Sequence, residues 1–184
     1  MSKVLMPIAE GFEEAEAVIM IDVLRRSGFE VTTLGTQEKK LVRGAHNITI
    51  EVDTIDDDAF NGEYDLVLLP GGMPGSLVLK NDPRLTSMLI KQVESGKHVG
   101  AICAAPIALE EAGVLNGQDC TSYPGFKDQL LTAFYLEDRV VDSGLVLTSR
   151  GPGTAFEFAL YIVEKFKGEK VAEEQAHKLL VKDF

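Results

Sequence analysis

Short apolar runs alternate along this chain with stretches whose apolar residues recur every three or four positions. Val4-Leu5-Met6-Pro7-Ile8 is the first run and stops at Gly11, so it reads as a strand. From Glu13 to Ser27 the apolar positions Val18, Ile19, Val23 and Leu24 follow helical spacing. Glu13, Glu14 and Glu16 suit the positive start of that helix, Arg25 and Arg26 its last turn, and Gly28 its cap. Phe29 to Leu34 alternates and is rich in β-branched residues, which predicts a strand, and Asn47 to Val52 predicts another. Asp65 to Pro70 is a continuous apolar run, as a central parallel strand buried on both faces requires. Arg84 to Glu94 reads as a helix with Leu85, Met88, Leu89 and Val93 on one side, and His98 to Ile102 as the next central strand. Pro106 to Ala112 follows as a short helix. Arg139–Val141 and Leu145–Thr148, split by Asp142-Ser143-Gly144, predict a hairpin. A helix from Gly153-Thr154 to Phe166 and another over about Glu169–Leu180 complete the chain.

Strand–helix alternation with no internal repeat and no Pro/Ser/Gly-rich linker predicts one domain over residues 1–184. Its class is α/β, a doubly wound sandwich around a mainly parallel sheet. Ligands in such sheets sit at the carboxyl ends of the strands, so the residues after Ile8, Pro70 and Ile102 carry the most interest. With 184 residues the chain buries about 70 % of its unfolded surface and needs no metal or disulfide to hold a core.

Charge and targeting narrow the function. Lys and Arg number 18 against 29 Asp and Glu, a net charge of −11, which disfavours nucleic acid and anionic membrane surfaces as partners. No apolar stretch approaches the roughly 18 residues of a membrane span, and no signal peptide opens the chain. Two cysteines, Cys103 and Cys120, point to a reducing cytoplasm rather than a disulfide framework.

Cys103 is the first candidate for chemistry. It follows a buried-looking strand and precedes a helix, among the small residues Gly100, Ala101, Ala104 and Ala105 that a tight strand-to-helix turn needs. That arrangement resembles a nucleophile elbow, and the N–H groups and positive potential of a helix start lower a thiol's pKa. A buried structural cysteine is the alternative. Gly71 and Gly72, just past a central strand, expose backbone N–H groups that form either an oxyanion hole or a tight turn; a dinucleotide loop is a weaker match, for the G-x-G-x-x-G spacing is missing. Glu13 and Glu16 share a helix face near the sheet's switch point, while Glu14 points elsewhere; a solvated helix charge is the alternative for Glu16. None of His46, His98 and His177 has a ligand-like partner three or four residues away, so no metal is expected; His98, His177 and Cys120 read as structural.

Four segments together resemble the ThiJ/PfpI superfamily, in the branch of the parkinsonism-associated deglycase and its bacterial relatives. They are Gly11–Glu16, Tyr64–Gly72, Ala101–Ala104 and Thr148–Ala159, and the run Ser149-Arg150-Gly151-Pro152-Gly153-Thr154 is the most specific to that branch. The resemblance implies a flavodoxin-like three-layer sandwich, a homodimer and a reactive cysteine at Cys103. It implies a helix glutamate that hydrogen-bonds the thiol at Glu16 and oxyanion-binding amides at Gly72 and Ala104, with Glu13, His46, Tyr123 and Arg150 lining the substrate site. The chain departs from the pattern at three places. Ala104 stands where peptidase members carry histidine, which argues against a protease. Tyr123 stands where deglycase-branch members carry histidine, and His46 where an arginine is common.

The function implied is detoxification of α-oxoaldehydes such as methylglyoxal, or of their early adducts on side chains. No cofactor is expected: Cys103 attacks the aldehyde carbon and Glu16 shuttles the proton. The alternative is a non-enzymatic oxidative-stress sensor or chaperone acting through oxidation of Cys103.

Overall fold

The computed structural model describes residues 1–181. In chain order its elements are β1 (Lys3–Ile8), α1 (Glu14–Arg26), β2 (Glu30–Gly35), β3 (Leu41–Arg43), β4 (Thr49–Glu51), β5 (Leu66–Leu69), α2 (Gly75–Lys80) and α3 (Pro83–Glu94). There follow β6 (His98–Ile102), α4 (Pro106–Glu111), β7 (Asp119–Cys120), β8 (Phe134–Tyr135), β9 (Val140–Ser143), β10 (Val146–Ser149), α5 (Ala155–Lys167) and α6 (Glu169–Lys178). Six strands form one sheet in the order β2-β1-β5-β6-β10-β9, parallel except for the β9–β10 hairpin at its edge. This is the flavodoxin-like α/β sandwich expected.

Period-2 alternation along β1 explains the layers. Val4, Met6 and Ile8 join α1, α5 and α6 in one core, while Leu5 joins α3 and α4 in the other, with Val67, Leu69, Val99 and Ala101 beside it. Both faces of the central strands are covered, so β5 is buried at every position. Ala17, Met20, Val23 and Leu24 form the buried stripe of α1. The expected stripe was displaced here: Val18 is 47 % exposed, because the helix turns its Ala17–Leu24 side to α5 and leaves Val18 outside. Phe156 departs in the same way, half-exposed on the first turn of α5, whose buried face is Phe158, Ala159, Ile162 and Val163.

Four elements escape the hydrophobic pattern. The segment read as Asn47–Val52 is strand only over β4, and its partner is β3, in a separate two-stranded ribbon. α2 follows a glycine-rich turn and spans six residues, too few to show a period. β7 and β8 pair in parallel through two residues each. The acids Asp56–Asp58 open a helical turn, where the Asp56 carboxylate accepts the amide N–H of Asp58 at 3.0 Å.

Candidate active site

β1, β5 and β6 are neighbours in the sheet, so their carboxyl ends deliver three loops to one place. From β6 comes Cys103, with φ of +64°, a left-handed conformation that costs a non-glycine residue energy and marks a sharp elbow. Its backbone is held on both sides: its N–H donates to the Ser149 carbonyl at 3.0 Å and its carbonyl accepts the Tyr123 N–H at 2.9 Å. From β5 come Gly71 and Gly72. A Cβ at position 71 would lie 2.5 Å from Cys103 Cβ and 2.6 Å from Glu16 Oε2, so only glycine lets the three loops close.

From the first loop comes α1, begun by Glu13, whose N–H donates to the Gly71 carbonyl at 2.8 Å. One turn on, Glu16 is fully buried. Its Oε2 accepts the Gly71 N–H at 2.8 Å, while Oε1 finds no nitrogen or oxygen partner among the described residues and faces the Cys103 thiol. The solvated-charge reading of Glu16 therefore fails: its carboxyl is buried against the loop that follows β5.

Burial raises the Glu16 carboxyl to about 7; the thiol and the Gly71 amide hold it back in part, and the nearby Glu13 charge adds to the rise. Cys103 corrects the expected lowered thiol. Burial and then the Glu16 carboxylate push it up to about 12, against the amides of Gly72 and Ala104, which do face the sulfur and pull the other way. Two acids in one dry place cannot both ionise freely. The arrangement suits a thiol that hands its proton to Glu16 as it attacks, rather than a standing thiolate.

A cavity of about 480 Å³ opens onto the sulfur, with Glu13, His46, Gly72, Ala104 and Tyr123 in its wall as expected. Pro152, from the Ser149–Thr154 run, also lines it, as do Met73 and Phe126, which no sequence signal singled out. Arg150 is not brought there: its Nη1 donates to the Glu137 carbonyl at 2.9 Å, turned away by the β9–β10 edge.

Glu14 was expected to point away and is instead buried. Its Oε1 accepts the N–H groups of His46 (2.7 Å) and Ile48 (3.3 Å), and its Oε2 lies 3.0 Å from His46 Nδ1, with Glu13 Oε2 at 3.5 Å from the same nitrogen. Burial alone would raise Glu14, but the helix-start amide and the hydrogen bonds from His46 and Ile48 outweigh it and lower its pKa. His46 has no ligand-like partner three or four residues away in sequence, yet in the fold it has two carboxylate partners. The fold brings its partners from another element, and the donor atoms of Glu13, Glu14 and His46 lie within 4.8 Å of one another. Cys120 is buried, and the His98 ring packs edge-on against Phe166 at 4.9 Å.

The DJ-1/PfpI family pattern matches residues 2–165. The chain belongs to that family. It is 40 % identical over 169 residues to a Caenorhabditis elegans protein named glutathione-independent glyoxalase DJR-1.2, covering 90 % of this chain and 88 % of that one. The crystal structure of Drosophila melanogaster DJ-1beta superposes with a TM-score of 0.94 at 41 % identity, covering 98 % of this chain and 99 % of the other. Against Protein DJ-1 homolog B of Arabidopsis thaliana the identity is 42 % over 182 residues, and there the match spans only 42 % of the longer plant protein. No helix among the described residues is long and apolar enough to cross a membrane.

Proposed function

We propose that this protein is a cysteine-dependent glyoxalase that needs no glutathione, turning α-oxoaldehydes, or their early adducts on amines and thiols, into 2-hydroxy acids. The observation that carries the reading is the Glu16 carboxyl, buried with one oxygen on the Gly71 amide and the other facing Cys103 Sγ. Cys103 adds to the aldehyde carbon while Glu16 takes the thiol proton, and the amides of Gly72 and Ala104 stabilise the negative charge that develops. A relative named as a glutathione-independent glyoxalase, alike over most of both chains, supports the same reading.

Its test is lactate formation from methylglyoxal by the purified protein beside Cys103→Ser and Glu16→Gln. Turnover by the Ser variant at the wild-type rate eliminates the mechanism. One feature favours a second role, oxidation sensing: a carboxyl raised to about 7 is available as a donor to a sulfinate on Cys103. A gain of two oxygens confined to Cys103 under mild peroxide, with no aldehyde turnover, supports that role instead. The protein is further proposed to act as a cytoplasmic homodimer through the outer face of α1, where Val18 stands exposed beside Ile21 and Ile50.

A further inference from the structure

Resting on the glyoxalase reading, we propose that His46, held by Glu14 and Glu13, is a catalytic base of this site and moves the carbon-bound proton that turns a hemithioacetal into a thioester.

The chemistry after thiol addition demands such a group. The adduct on Cys103 carries a C–H and a hydroxyl on the former aldehyde carbon, beside a ketone. Removing that carbon's proton puts its electron pair into a C=C bond and negative charge on the ketone oxygen, an enediolate. Returning a proton to the neighbouring carbon, while the hydroxyl proton passes to the former ketone oxygen, gives a 2-hydroxy thioester. One carbon is oxidised and the next reduced by the same two electrons, so no outside oxidant is needed. Water then releases the 2-hydroxy acid and the thiol.

Few groups on the cavity wall can do this. Glu16 lies beneath the sulfur, with Oε2 already on the Gly71 amide and Oε1 occupied with the thiol proton. Tyr123 brings an O–H donor. Glu13 is a carboxylate on the same side as the His46 ring nitrogen Nδ1. His46 lines the cavity that Cys103 lines, with its side chain 68 % exposed, and both carboxylates facing it sit on Nδ1. The neutral ring therefore keeps its proton on Nδ1 and leaves the Nε2 lone pair for substrate. Glu14 is suited to orient it: nearly buried and ionised, it is fixed by the N–H groups of His46 and Ile48, so ring and backbone are positioned together. The Glu14 hydrogen bond, and then the charge of Glu13, raise the imidazole above its ordinary value, which strengthens it as a base. The pairing depends on the Arg43–Ile48 loop reaching α1, which the Gly11 N–H to Arg43 carbonyl bond (2.8 Å) and the Ala45 N–H to Phe12 carbonyl bond (2.9 Å) secure.

The experiment follows methylglyoxal turnover in deuterated water by proton NMR, with wild type, His46→Gln and Cys103→Ser, and measures alkylation of Cys103 by iodoacetamide in parallel. Wild type is expected to form lactate with solvent deuterium at C2. His46→Gln is expected to lose on the order of 100-fold in kcat, to alkylate at an unchanged rate and to recover turnover with added imidazole. Those three results together separate a proton-transfer role from a structural one. Lactate with no solvent deuterium at C2, or a His46→Gln kcat equal to wild type, overturns the proposal while the Cys103 reading stands so long as Cys103→Ser is inactive. Wild type forming no lactate overturns both.

Discussion

The two ends of the central strands offer clefts of similar size and opposite chemistry. At the amino ends, a cavity of about 520 Å³ is lined by Phe60, Tyr64, Met88, Lys91 and Lys97 among others. There the Asp65 carboxylate accepts Lys97 Nζ at 2.7 Å and the Lys3 N–H at 2.9 Å, and the Lys97 hydrogen bond and the Lys3 amide pull it below the usual carboxylate range. At the carboxyl ends the cavity is slightly smaller, yet Glu16 is raised instead, since burial dominates and no cation among the described residues answers it. One carboxylate is comfortable and half-exposed; the other is costly, buried and set against a strained cysteine. Cavity size does not single out the end proposed to be reactive. The unfavourable electrostatics do, because groups held in a costly state are the ones available for proton transfer.

The contrast breaks most sharply at Cys103. Cys103→Ser is expected to reduce lactate formation by at least ~10³-fold, read by steady-state kinetics, with the melting temperature little changed. Glu16→Gln comes next. It removes the base, with an expected loss of about 10²–10⁴-fold in kcat/KM, and abolishes the rise of kcat/KM with pH near 7 as the Glu16 carboxyl ionises.

The same variant reports on stability with the opposite sign. Glu16 binds its proton more tightly folded than unfolded, so its ionisation costs stability as pH rises from about 4.5 through about 7. Glu16→Gln is expected to be stabilising above pH 7 by on the order of 3 kcal/mol in denaturant titrations, and not to be so at pH 4. A variant less stable than wild type at both values would mean that the buried carboxylate is not costly.

Gly71→Ala forces a methyl against Cys103 and Glu16 and is expected to cost about 1–3 kcal/mol with a loss of turnover. At the other end, Lys97→Ala removes an exposed ion pair and is expected to change stability by at most about 1 kcal/mol and turnover not at all. An effect of Lys97→Ala on turnover would erase the distinction between the two ends.

Much of this was legible beforehand, for identifiable reasons. β5 and β6 are apolar at nearly every position because helices cover both faces. Cys103 stood out because small residues surround it at a strand end. The orientation of α1 was less legible: Val18 and Ala17 fit a helical stripe almost equally, and packing on α5 chose between them. Glu14 and His46 were opaque, because 32 residues separate them and His46 sits in the loop of the short β3–β4 ribbon, whose strand signal is weak. Arg150 was expected in the substrate site from its motif, and the Glu137 carbonyl holds it elsewhere.

From the order of residues alone came the α/β class and the parallel core, which follow from periodicity; side-chain chemistry made Cys103 and Glu16 candidates, and the resemblance to a known family paired them. Only the folded chain decided how hard that sulfur is to ionise, which way Glu14 faces and that His46 joins the cavity. Those depend on desolvation and on contacts between distant segments, and neither quantity is a property of a residue until the chain has closed around it.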